Sequence, residues 1–222
     1  MTDYRPAPRP AYRLVPSRFP PIGLFDTVAT AADAAAVMEL AGWTNDRLVA
    51  ERIDRLPRDQ WVYGRPNASI IMASFLHVAP GGMRFNGPDL GAWYASASIV
   101  TAAAEVGHHL RRETVARSVE AMARTYRSYS ATLVGNYLDI CGQQSAYPDA
   151  YLPNSYAGAQ AFGETIRASA SAGIAYDSLR HRGGTNVVGY RPAGIIDVVQ
   201  TDHFEISIEA ASKQIDVRKL SA

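Results

Sequence analysis

A chain of 222 residues, set against a usual domain of ~150, reads as one large domain or one domain with an insertion, long enough to bury a core without disulfides or metals. Its 22 basic residues against 21 acidic ones give a net charge of +1, so no overall field draws it onto nucleic acid or an anionic membrane. The single cysteine, Cys141, excludes an internal disulfide framework and a cysteine-rich zinc site, which fits a reducing compartment.

No apolar run reaches the ~18 residues of a membrane span, and MTDYRPAPRP at the start lacks the apolar centre of a signal peptide. These features point to a cytoplasmic protein with no membrane partner and no direct nucleic-acid binding. Only Lys213 and Lys219 are lysines and the other 20 basic residues are arginines, whose planar fork pairs bidentately with phosphate and carboxylate.

Residues 1–10 carry three prolines and no periodic pattern, so they read as an extended or disordered lead-in to a single domain over 11–222. Ala11 to Val15 is a short strand ended by Pro16, and Ser17 to Pro21 an extended turn around Arg18. Thr27 to Leu56 is alanine-rich with apolar residues at helical spacing, which predicts a helical insertion of two helices joined near Gly42 and Trp43. Ala68 to Val78 is apolar and too short to span a membrane, and is expected to be a buried strand. Asn86, Gly87, Pro88 and Gly91 mark a turn between two extended pieces within Arg84 to Ala97. Ser98 then caps a helix to Arg112 that carries Glu105 in its second turn.

Ser130 to Ile140 predicts a strand, Cys141 to Pro153 a loop, and Asn154 or Ser155 the cap of a helix reaching about Ala170. Four strands follow, over Ile174 to Leu179, Asn186 to Tyr190, Ile195 to Gln200 and Phe204 to Glu209, separated by glycine and proline turns. The order of elements gives an α+β domain.

Arg84, Tyr94 and Glu105 lie ten and eleven residues apart across an extended piece, a turn and a helix, an arrangement able to converge on one cleft. By themselves they equally describe an Arg/Glu ion pair with a tyrosine packed beneath it. Glu105, His108 and His109 also spell E-x-x-H-H, but the HExxH order and a second carboxylate helix are lacking, so no metal site is assigned. His181 and Arg182, next to Gly183 and Gly184, offer a basic turn able to touch a phosphate, while Asp177 and Asp197 have no evident partner.

Five pieces in order, YRLVPSRFPP (Tyr12 to Pro21), TNDRL (Thr44 to Leu48), RFNG (Arg84 to Gly87), WYASASIVTAAAEVGHH (Trp93 to His109) and AYDSLRHRGGTNVV (Ala175 to Val188), resemble the RES family. That family supplies the toxins of RES/Xre toxin–antitoxin pairs. The resemblance runs from about Tyr12 to Pro192 and implies an ADP-ribosyltransferase-like fold of the diphtheria-toxin type. It further implies an enzyme that consumes NAD by phosphorolysis, hydrolysis or ADP-ribose transfer to a protein, with NAD as substrate, no separate cofactor, and an Xre-type antitoxin as partner. Carried over by motif, Glu105, Arg84, Tyr94 and Ser178 are the catalytic candidates. Arg13, Arg84, Tyr94 and Asn186 are the NAD-binding ones, with Arg18 a competitor to Arg13. Gly107 and the stretch from Ser128 to Tyr151 depart from the pattern near the cleft.

The chemistry suits these residue types. Breaking the nicotinamide–ribose bond develops positive charge at the anomeric carbon, which a carboxylate such as Glu105 stabilises. Nicotinamide leaves neutral, so one carboxylate suffices. Arg13 and Arg84 would clamp the pyrophosphate, Tyr94 would face the cationic ring for ~0.5–2 kcal/mol, and Ser178 would orient the amide or the ribose. The absence of GxGxxG argues against a Rossmann dehydrogenase. Other readings of the same residues are a protein mono-ADP-ribosyltransferase, a non-catalytic binding module, or an endoribonuclease using His108, His109 and His181.

Overall fold

The structure is a computed structural model that describes residues 3–19, 23, 25–30, 32–37 and 51–221. In chain order the described elements are β1 (Tyr4–Arg5), β2 (Ala11–Pro16), α1 (Ala68–Leu76), β3 (Trp93–Ser96), α2 (Ile99–Ala116), β4 (Ala121–Leu133), β5 (Tyr137–Asp139), α3 (Ala157–Ala168), β6 (Gly173–Asp177), β7 (Thr185–Gly189), β8 (Ile195–Glu209) and β9 (Ile215–Leu220). The strands form one sheet in the order β1-β5-β6-β7-β3-β2-β4-β8-β9. Only β5 and β6 pair in parallel, so the sheet is mixed and the helices flank it, as an α+β reading requires. Among the described residues no helix is long and apolar enough to cross a membrane.

Side chains alternate across the sheet, and the two faces bury different layers. On one face Trp93, Ala95, Tyr129, Ala131, Ala175 and Val187 pack with α1. On the other, Leu14, Tyr126, Phe204 and Ile206 pack with α2 through Ala102, Ala103 and Leu110, while Ile174, Tyr176 and Val188 pack with α3 through Ala159. Two helices thus stand side by side on one face, and the space between them lies over β2, β3, β7 and β6.

Several expectations need correction. Ala68 to Val78 is not a strand: Ala68–Leu76 is the helix α1, with seven of its nine residues buried. A helix apolar all round is sandwiched in the interior and shows no one-sided periodicity, so periodicity alone reads it equally well as a buried strand. The lead-in is extended, as expected, but Tyr4–Arg5 is a paired strand, held to β5 and anchored by the Arg5–Asp139 ion pair at 3.1 Å. The strand expected over Ser130 to Ile140 is two: β4 begins at Ala121 and ends at Leu133, and β5 is separate. The two last predicted strands are one, β8, whose irregular pairing with β4 and left-handed Asp197 (φ 52°) blur the alternation midway. Helix α3 begins at Ala157, after Tyr156, with no side-chain cap from Asn154 or Ser155. Within the expected helical insertion, 32–37 and 51–53 are helical. Its junction near Gly42 and Trp43, and the TNDRL motif, lie outside the described residues.

Ser98 caps α2 as expected: its hydroxyl accepts the Thr101 amide N–H at 3.1 Å. Gly107 is explained by packing, since a Cβ there would lie 2.7 Å from the side chain of Ile215 on β9.

Candidate functional site

The floor of the site is one transverse row of the sheet. Tyr12 pairs with Ser96, Ser96 with Asn186, and Asn186 with Tyr176, across β2, β3, β7 and β6. Residues directly opposite in adjacent strands point to the same face, so the four side chains rise together between α2 and α3. All four line a cleft that is partly open to solvent, and Glu105 enters from α2 above them.

Glu105 is held at one oxygen. The Ser178 hydroxyl donates to Oε1 at 2.7 Å and the Asn186 side-chain amide donates to the same atom at 2.7 Å. Among the described residues no hydrogen bond reaches Oε2. Ser178 itself accepts the backbone N–H groups of Arg180 (3.1 Å) and His181 (2.9 Å), so its hydroxyl is spent on the carboxylate and the turn. The expectation that Ser178 orients the nicotinamide amide or the ribose therefore gives way to a role behind Glu105. His181 ties the same turn to α2, its Nδ1 lying 2.9 Å from the Thr101 hydroxyl. Two contacts thus clamp the Ser178 turn to the helix that carries the carboxylate. His181 and the exposed Arg182 do not line the cleft.

The cations come from three directions. Beyond Tyr12↔Ser96 no further pair joins β2 to β3, so the strands part at Arg13, which there lines the cleft. Its Nη1 donates to the Tyr94 carbonyl at 3.2 Å and its guanidinium lies 4.8 Å from the centre of the Trp93 ring. The buried Nε has no partner and, among the described residues, no carboxylate pairs with the group. Burial draws its pKa down to about 10. Arg18 is exposed, stacked on Phe19 at 4.9 Å, and absent from the cleft wall, so Arg13 is the arginine of this region that lines the cleft, through the open seam and from the α1 side of the sheet.

Arg84 donates to the carbonyls of Ala150 (3.1 Å) and Leu152 (2.9 Å) and lies over the Tyr156 ring at 4.8 Å. The Tyr94 hydroxyl fixes the turn that carries it, donating to Asn86 Oδ1 at 2.7 Å and accepting the Phe85 N–H at 3.0 Å. Tyr94 therefore has two surfaces in use, a hydroxyl that builds the Arg84 turn and a side chain that lines the cleft. Burial raises its pKa, so the phenol keeps its proton.

Arg180, and not the neighbouring His181 or Arg182 of the basic turn, lines the cleft, and it donates to the Pro153 carbonyl at 3.0 Å. The loop at 150–153 thus braces both Arg84 and Arg180. His108 and His109 also line the cleft, with ring centres 5.6 Å apart. Burial, then Arg180, then His109, Arg112 and Arg111 pull the His108 pKa to about 4, leaving it unprotonated near neutral pH. Asp177, without an evident partner in the sequence, accepts from the Gly142 N–H and the Gln144 amide at 2.7 Å each and shapes the loop after β5.

One carboxylate with an oxygen that accepts no hydrogen bond, in a cleft shared with arginines that have no acidic partners among the described residues, is chemically suited to an anionic ligand that develops positive charge near Glu105. The RES domain profile matches residues 51–209, most of the chain, and the protein belongs to the RES domain family. Among solved structures, a chain in the crystal structure of the M.tuberculosis MbcT–MbcA toxin–antitoxin complex is similar at 15% identity and a TM-score of 0.47, covering 89% of this chain and 86% of that one. No curated protein matches the sequence.

Proposed function

We propose that this protein is the toxin of a toxin–antitoxin pair, acting in the cytoplasm, that cleaves the nicotinamide–ribose bond of NAD and passes ADP-ribose to phosphate or water. The observation that carries the reading is the meeting of Glu105, fixed through Oε1 and open at Oε2, with Arg13, Arg84 and Arg180 in one cleft. The diphosphate of NAD matches the arginines, with Arg13 the half-buried member of the clamp. Cleavage breaks the bond from the anomeric carbon to the ring nitrogen, and its electron pair goes to the pyridinium, which departs as neutral nicotinamide. The carbon left behind carries oxocarbenium charge, which Glu105 stabilises until an oxygen of phosphate or water bonds to it. Water loses its extra proton to the solvent. Tyr94 and Tyr176 supply aromatic surface beside the reacting end. In this reading the sheet is an ADP-ribosyltransferase-like core, and an Xre-type antitoxin silences the enzyme by covering the cleft.

The test is incubation of the purified protein with NAD, with and without inorganic phosphate. Release of nicotinamide is expected, accompanied by free ADP-ribose or its 1-phosphate. Label from the adenylate half retained on a macromolecule would instead identify a protein ADP-ribosyltransferase. Intact NAD would overturn the proposal.

A further inference from the structure

Among the described residues Ser96 makes no hydrogen bond to the carboxylate or the arginines, yet it lies in the row that floors the cleft. It is 4% exposed, and its hydroxyl donates to Asn186 Oδ1 at 2.6 Å. Asn186, 2% exposed, donates from the other end of the same amide to Glu105 Oε1 at 2.7 Å. The two residues are register partners on β3 and β7, so the contact is set by the sheet and not by a flexible loop.

The polarity of this chain has one consistent solution. The carboxylate is only an acceptor, so the amide must present its NH2 to Glu105 and its oxygen to Ser96, and Ser96 must then donate. Turned the other way, the amide would set its oxygen against the carboxylate. Without the Ser96 hydroxyl the amide oxygen is left buried and unpaired, and the side chain gains by swinging toward another donor and away from Glu105.

We infer that Ser96 is a positioning residue that holds the Asn186 amide on Glu105 and so fixes the direction of the free carboxylate oxygen. This rests on the NAD-cleaving reading for its kinetic consequence only. Two measurements test it. In steady-state turnover of NAD, Ser96→Ala is expected to lower kcat by ~10-fold, the equivalent of one lost buried hydrogen bond, with KM changed far less. Ser96→Thr, which keeps the hydroxyl, restores most of that loss. In an Asn186→Ala background Ser96→Ala has little further effect, because Ser96 acts through that amide. A parent-like kcat in Ser96→Ala, or an undiminished loss in the Asn186→Ala background, would overturn the inference.

The second measurement needs no turnover. The Asn186 side-chain amide protons, followed by 15N NMR, are expected to be protected from exchange in the parent and in Ser96→Thr, and unprotected in Ser96→Ala. Retained protection in Ser96→Ala would also overturn the inference. A parent that left NAD intact while showing this NMR pattern would sink the proposed reaction and leave the positioning role standing.

Discussion

Arg13 is a half-buried cation, its Nε shut off from water, with no anion beside it among the described residues. A base whose folded pKa lies below its unfolded value destabilises the fold wherever both states are charged, which includes neutral pH. Arg13→Met is therefore expected to raise the melting temperature of the ligand-free protein while weakening NAD binding by ~10-fold or more, since the charge serves the ligand and not the fold. Calorimetry and a binding titration check it, and a lower melting temperature with unchanged affinity would contradict it. His108 makes a second prediction. Its folded pKa is near 4 and its ordinary value is 6.5, so between them the unfolded chain binds a proton that the folded chain does not, and stability falls as pH falls through that window. His77 and His109 shift in the same direction. Melting temperature should decline on acidification across this range, and less steeply in His108→Gln; equal slopes would show that His108 is not responsible. Glu105, Arg84, Tyr94, Asn186 and Arg13 were legible because the resemblance gives each of these motif positions a role, and the structure gathers all five at the cleft. Arg180, Tyr12 and Ser96 lie in the same motifs at positions to which the resemblance gives no role, and they reach the site through cross-strand register and a turn whose geometry no local pattern specifies.

At the level of elements, local signals worked where one face of a segment meets water. Helix α2 buries one face, Ala103, Gly107, Leu110 and Thr114, behind a serine cap, and its sequence shows that period. Helix α1 is buried on nearly every side, so hydrophobicity marks it as interior without fixing its period. Helix α3 carries a different constraint: a Cβ on Gly163 would collide with the backbone carbonyl of Phe85, next to Arg84. Gly163→Ala gains ~1 kcal/mol of helix propensity but must push the helix off that backbone, an overpacking that costs about 1–3 kcal/mol. The second effect is expected to prevail, because a backbone atom cannot turn aside as a side chain can. Chemical denaturation should show net destabilisation together with weaker NAD binding, as the Arg84 turn shifts. A stabilised variant would mean that α3 rides freely over that turn.

Across the whole molecule, the site exists because an antiparallel sheet brings Tyr12, Ser96, Asn186 and Tyr176 into one row and because α2 and α3 leave that row uncovered between them. Composition and element order disclosed an α+β domain, but not which strands are neighbours. The order in which β3 lies between β7 and β2 joins residues some ninety positions apart, such as Ser96 and Asn186. The splayed β2–β3 seam admits Arg13, and the 150–153 loop holds the opposing arginines. All of this geometry converges on the one free oxygen of Glu105. The most direct measurement is the rate of nicotinamide release from NAD by the parent and by Glu105→Gln, with circular dichroism confirming that both are folded. The parent is expected to release nicotinamide and the variant to be slower by ~100-fold or more while still binding NAD. Release by Glu105→Gln at the parent rate would contradict the account.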